Sequence, residues 1–165
     1  MQREHLDAPA APPAEDGFTL LELMMVILII GILIAVLMPT FFGASKRAKD
    51  RAMQSSLTNA VTGAKSLYLG KADYTTATPA AMTAETGGVT FVTQTVAPQG
   101  PNTVSVYGFT TTQVYLSGQS KSGDCFYVSD NETTGVTQYA KANGAGGCAA
   151  NTSPPPGDPS WLTNW

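Results

Sequence analysis

Between Leu23 and Met38 the chain reads LMMVILIIGILIAVLM, sixteen residues with no charged or polar side chain. Counted from Phe18 to Phe42, 25 residues carry a single charge, Glu22. A helix that is apolar on every side belongs in lipid or in a dry protein centre. Coiled as a helix, the stretch extends roughly 37 Å at about 1.5 Å per residue, against a hydrocarbon layer of about 30 Å. The 94 residues from Ala72 onward are too few to wrap such a segment. Membrane residence is therefore expected.

Two residues set this segment apart from a plain anchor. Glu22 lies just inside the apolar stretch with no obvious local partner, where an acidic side chain near a membrane helix centre costs about 2.5–3.5 kcal/mol and less near an end. It either reaches the headgroups or has a function. Pro39 lacks the N–H that would bond to the Ala35 carbonyl, so a helix passing through it bends or opens, or else ends there. Gly31 and Gly43 lower the cost of opening.

From Gly43 the period changes. Met53, Leu57, Ala60/Val61, Ala64 and Leu67/Tyr68 recur at three-to-four spacing among polar residues, which predicts an amphipathic continuation of the same helix over 43–71. Lys46, Arg47, Lys49 and Arg51 form either a solvated face or a phosphate or lipid patch. Beyond it, Val89–Val96, Thr103–Phe109, Thr112–Ser117, Cys125–Ser129 and Val136–Ala140 read as short strands bounded by turn residues, with Asp130–Gly135 as a hairpin loop. The expected fold is α+β: a long N-terminal helix packed on a C-terminal antiparallel sheet of about four to five strands, a meander, in a β-rich head over 72–165. The head ends in a Pro-rich tail, Pro154-Pro155-Pro156 through Trp161 and Trp165, which docks on the head or on a neighbour, or stays disordered.

Composition excludes several functions. Nine Lys plus Arg stand against twelve Asp plus Glu, so no basic field exists to grip nucleic acid. His5 is the only histidine, which removes the usual base and metal ligand and argues against an enzyme. Asp124, Asp130 and Glu132 match no calcium-loop spacing, so no metal or cofactor is expected. Cys125 and Cys148 leave room for one disulfide, worth about 3 kcal/mol in the chain-entropy model, or for two reduced thiols. Asn131-Glu132-Thr133 and Asn151-Thr152-Ser153 are glycosylation-type triplets that arise readily by chance.

Directly before the apolar run stands Gly17-Phe18-Thr19-Leu20-Leu21-Glu22. This GFTLLE string resembles the N-terminus of type IV prepilins, over roughly Gly17 to Tyr68. The resemblance implies cleavage by a prepilin peptidase between Gly17 and Phe18, removal of a leader over 1–17, and methylation of the new terminus on Phe18. It implies a membrane and filament-core helix over 18–42, with Gly31 and Pro39 as helix-opening positions, and often a C-terminal disulfide, here Cys125–Cys148. The leader departs from the family's common short, basic pattern: it is acidic and ends Glu15-Asp16-Gly17. Counting Lys and Arg near the span gives one before it and four after it, which by the positive-inside rule puts the following part in the cytosol. The resemblance implies the opposite side.

On this reading the chain is a structural subunit of a type IV pilus. It resides in the cytoplasmic membrane as a precursor, head outside, and then in an extracellular filament. Its partners are other copies of itself, inner-membrane lipid, the prepilin peptidase and the assembly machinery. The freed amine of Phe18 meets Glu22, within one helix or across subunits; the resemblance favours the intersubunit contact. A pseudopilin of a type II secretion system, or a signal-anchored surface protein that never polymerises, are the alternatives.

Overall fold

The computed structural model describes residues 17–144, 147–150 and 161–165. The chain divides into two units, one ending at Phe41 and one starting at Phe42. Helix α1, Leu20–Lys71, contributes to both and is unbroken in secondary structure through Gly31 and Pro39. Pro39 therefore does not end the helix; Thr40 Oγ1 donates to the Leu37 carbonyl at 2.8 Å in the turn around it.

In the first unit every large apolar side chain from Phe18 to Met38 is at least 48 % exposed. Side chains that are apolar all round cannot be buried by a lone helix, and no second element is present in the described residues of this unit.

The second unit buries what the first exposes. Met53, Leu57, Ala60, Val61, Ala64 and Leu67 of α1 lie in the core, as the three-to-four spacing predicts. They face a five-stranded sheet in the order β1-β2-β3-β4-β5, formed by Thr90–Thr93, Thr103–Thr110, Gln113–Gln119, Asp124–Asn131 and Val136–Asn143. Alternate residues of the strands, among them Val104, Val106, Val114, Leu116, Phe126 and Val128, form that core with α1. Gly118 is a glycine for a reason: a Cβ there would run into the end of the Met53 side chain.

β2 to β5 form the expected antiparallel meander. β1 does not: it pairs with β2 in parallel, Thr90 opposite Thr103 and Phe91 opposite Val104, so the sheet is mixed. A parallel link normally takes a dozen residues or more. Here a β1 of four residues leaves little length to retrace, and the segment from Gln94 to Asn102, with Pro98, Gly100 and Pro101, returns the chain.

Two short elements before β1 were not expected from the sequence. A 3-10 turn, Tyr74–Thr76, is capped by Asp73, whose carboxylate accepts from Thr75 N. Helix α2, Pro79–Glu85, starts with Thr78 as its cap and Pro79 in the first turn, a recognised start signal. Gly108 lets the Tyr74 backbone carbonyl approach β2 so closely that a Cβ would collide with it.

Described residues after β5 pack on the far face of the sheet. Cys125 and Cys148 form a disulfide, Cα–Cα 5.3 Å, in a small cluster with Tyr127 and Ala140, and Trp161 packs on it. Ser117 Oγ donates to the Cys148 carbonyl, and Ala150 N donates to Ser105 Oγ at 3.1 Å. Both tryptophans thus dock on the β-rich unit. The leader up to Asp16 and the Asn151 triplet lie outside the described residues.

Candidate processing and assembly site

Gly17, Phe18 and Thr19 precede the helix and are exposed, Phe18 by 88 %. No atom lies within 4 Å of where a Gly17 Cβ would stand. The Gly17–Phe18 peptide bond is thus open to an enzyme, outside regular secondary structure.

Thr19 and Glu22 form a capping box. Thr19 Oγ1 accepts from Glu22 N at 3.2 Å, while Glu22 Oε2 accepts from Thr19 N at 3.0 Å and from Thr19 Oγ1 at 2.9 Å. The first turn of a helix has four N–H groups without partners, and this reciprocal pair satisfies two backbone donors. The negative charge also sits at the helix end where the backbone dipole favours it. The expectation that Glu22 has no local partner is therefore overturned by Thr19. The signal was present in the string, since Thr-x-x-Glu before an apolar run is the capping-box pattern. Among the described residues, the hydrogen bonds of the Glu22 carboxylate all run through Oε2 to Thr19.

Gly31 and Pro39 lie inside α1, within the exposed apolar stretch. A Cβ on Gly31 would meet nothing within 4 Å. Glycine in a helix interior costs about 1 kcal/mol relative to alanine, and no contact among the described residues offsets that here.

The charged residues that the sequence left open serve the second unit. Asp50, buried on α1, accepts from Ser120 Oγ at 2.8 Å and Ser122 Oγ at 2.5 Å, and from Lys141 Nζ at 3.1 Å. Lys141 also reaches Asp124 at 2.8 Å, and Asp124 takes Lys46 at 3.2 Å. Burial alone pushes the Asp50 carboxyl up, but the two serines and Lys141 outweigh it and hold it below the usual range. Hydrogen bonding from Lys141, aided by Lys46 and opposed by burial, holds Asp124 below it too. Burial pulls Lys141 down, and its two carboxylate partners more than reverse that. At the other end of the sheet Lys65 meets Asp130 at 3.1 Å and Glu132 at 3.7 Å, and Tyr74 donates to Asp130 at 2.6 Å. Burial first, then these carboxylates, push the Tyr74 hydroxyl far above its ordinary value.

The acidic cluster is thereby divided into two lysine-bound sets. No group of three metal-binding side chains exists among the described residues. In the basic cluster, Lys46 is bound to the sheet. The role of Asp50 was not legible, because a lone acid in a basic helix stretch reads as surface until its serine partners, about 70 residues away, are placed beside it.

Comparison with known proteins adds a family signature to this geometry. Residues 13–38 match the prokaryotic N-terminal methylation motif. The chain is 40 % identical over 62 residues to the type IV major pilin protein PilA of Myxococcus xanthus, which covers 38 % of this chain and 28 % of that protein. It is 53 % identical over 45 residues to the type IV wide pilus major component PilA4 of Thermus thermophilus, covering 27 % of this chain and 34 % of that one. The chain thus spans about a third of the length of the curated relatives it matches. No solved structure matches it significantly. Helix α1, which carries the motif from Leu20 onward, is long and apolar enough, by length and composition, to cross a membrane.

Proposed function

Because the chain carries the N-terminal segment of the type IV pilin family, we propose that it is a pilus subunit that polymerises through α1 once the Gly17–Phe18 bond is cut. The observation that carries the reading is the contrast inside one helix: the half that belongs to the motif keeps every large apolar side chain from Phe18 to Met38 exposed. Lipid covers that surface before assembly, and copies of the same helix cover it afterwards. Each large side chain taken out of water contributes about 1.5–3 kcal/mol. The leader over 1–17 is removed, 18–42 forms the filament core, and the rest faces outward on the cell surface.

Cleavage frees an amine on Phe18, where methylation follows. That cation is the partner for Glu22. Within one copy Glu22 already holds the Thr19 N–H and hydroxyl through Oε2, and the terminal amine of an incoming copy meets the same carboxylate. In a dry filament core an unpaired charge is costly and a matched pair recovers much of the cost, so the contact fixes register. Gly31 and Pro39 supply the points at which the helix stretches as copies pack. Filament yield in sheared surface fractions tests this reading. Glu22→Ala is expected to reduce it more than about tenfold, the effect of 1.4 kcal/mol, with membrane insertion intact; normal yield would contradict the reading.

A further inference from the structure

The last described residues add an isolated bridge to the edge of the sheet. Leu162 N donates to the Tyr139 carbonyl at 2.8 Å and Tyr139 N donates to the Leu162 carbonyl at 2.7 Å, an antiparallel bridge on the free edge of β5. Trp161 lies beside Tyr115 and on the disulfide cluster of the far face. Trp165 lies against Tyr139, ring centroids 4.7 Å apart, and against Phe126 at 5.4 Å. The two tryptophans of the chain thus bind either side of one sheet edge.

The hold is narrow. It consists of one backbone residue pair and two rings, with Leu162 53 % and Trp165 40 % exposed. The tether is generous. Ala150 is fixed over β2 by Ser105 and the Trp161 backbone adjoins Leu162 on the outer edge of β5, four strand spacings or about 19 Å away. Residues 151–160 join them, four of the ten being proline. By residue count alone, ten residues at no more than about 3.1 Å each allow a span of up to about 30 Å, about one and a half times what docking on the same sheet requires.

We propose that the β5 edge is a strand-docking site for the Trp161–Trp165 segment of a second copy, and that neighbouring copies exchange these segments. Donor and acceptor surfaces are identical in each copy, so a domain swap of this kind keeps the bridge and both ring packings intact. In an assembly the neighbour's segment competes with the chain's own at comparable local concentration. Exchange between neighbours rests on the filament reading, although the docking surface does not.

The bridge register supplies the test. With Tyr139 opposite Leu162, Gln138 falls opposite Thr163 at a non-hydrogen-bonded position, where Cα atoms are about 4.5 Å apart and cysteines can join. Full-length Gln138→Cys and Thr163→Cys copies are co-produced, and sheared filaments are run on a non-reducing gel. Expected is a disulfide-linked dimer in the mixture, absent from either variant alone. Monomers only in the mixture, with a link inside the doubly substituted chain, would overturn exchange. If no filaments form, the filament reading has failed, and the same gel on the membrane fraction decides exchange by itself.

Discussion

One helix serves two different environments in this chain. Up to Met38 its side chains are apolar on every side and exposed; from Met53 to Leu67 apolar residues recur on one stripe and are buried. The second arrangement is complete within the chain, since sheet and stripe match. The first finds no cover among the described residues. Hydrophobicity alone does not separate the two cases, whereas its angular distribution does.

Substitutions in the two halves should therefore have separable consequences. Ile30→Lys places a charge in the exposed apolar half at about 3 kcal/mol near a membrane centre. It should lower membrane retention and filament yield about a hundredfold while leaving thermal unfolding of the β-rich unit unchanged, as followed by circular dichroism. Equal damage to both would break the comparison. Leu57→Ala should do the reverse, destabilising the β-rich unit by about 3 kcal/mol in denaturant titration, because it opens a cavity in a fully buried position.

Asp50→Ala sharpens the comparison within the second half. It removes a buried acceptor from Ser120, Ser122 and Lys141 and should cost about 2 kcal/mol. The pH dependence has a definite sign. Asp50 and Asp124 are held below their ordinary value in the folded chain, so the unfolded chain takes up protons first. Their contribution is present above about pH 4 and is lost as pH falls through the depressed folded values. Acid unfolding profiles of Asp50→Ala should be shallower than those of the parent over that interval; superimposable profiles would show that Asp50 contributes nothing to the pH dependence. The smallest effect belongs to Thr19→Ala, which deletes the cap of α1 at about 1 kcal/mol. It should raise amide exchange in the first turn about fivefold and leave α1 beyond that turn unaffected.

Local patterns were legible wherever the cause was local. The apolar run, the buried stripe from Met53 and the positions of four antiparallel strands all follow from period and turn residues, while the cysteine count left a disulfide and two thiols open and the family resemblance implied the bridge. The Thr19–Glu22 box is equally local, yet a lone acid at the edge of an apolar run reads first as a stranded charge. Pairings across long separations were not legible. The parallel β1 depends on a return loop whose direction no period encodes. Asp50 and Lys65 show their partners only once the sheet brings Ser120, Lys141 and Asp130 beside the helix. Helix α2 escapes a periodicity reading although Thr78-Pro79 announces it, because seven residues are too few to show a period.

A cut between Gly17 and Phe18 releases, on this account, a subunit whose exposed helix half assembles with other copies. Intact-mass and N-terminal mass spectrometry of the chain recovered from sheared surface fractions tests it most directly. A chain beginning at Phe18 with a methylated amine is the predicted result. A chain in that fraction still carrying residues 1–17 would contradict it.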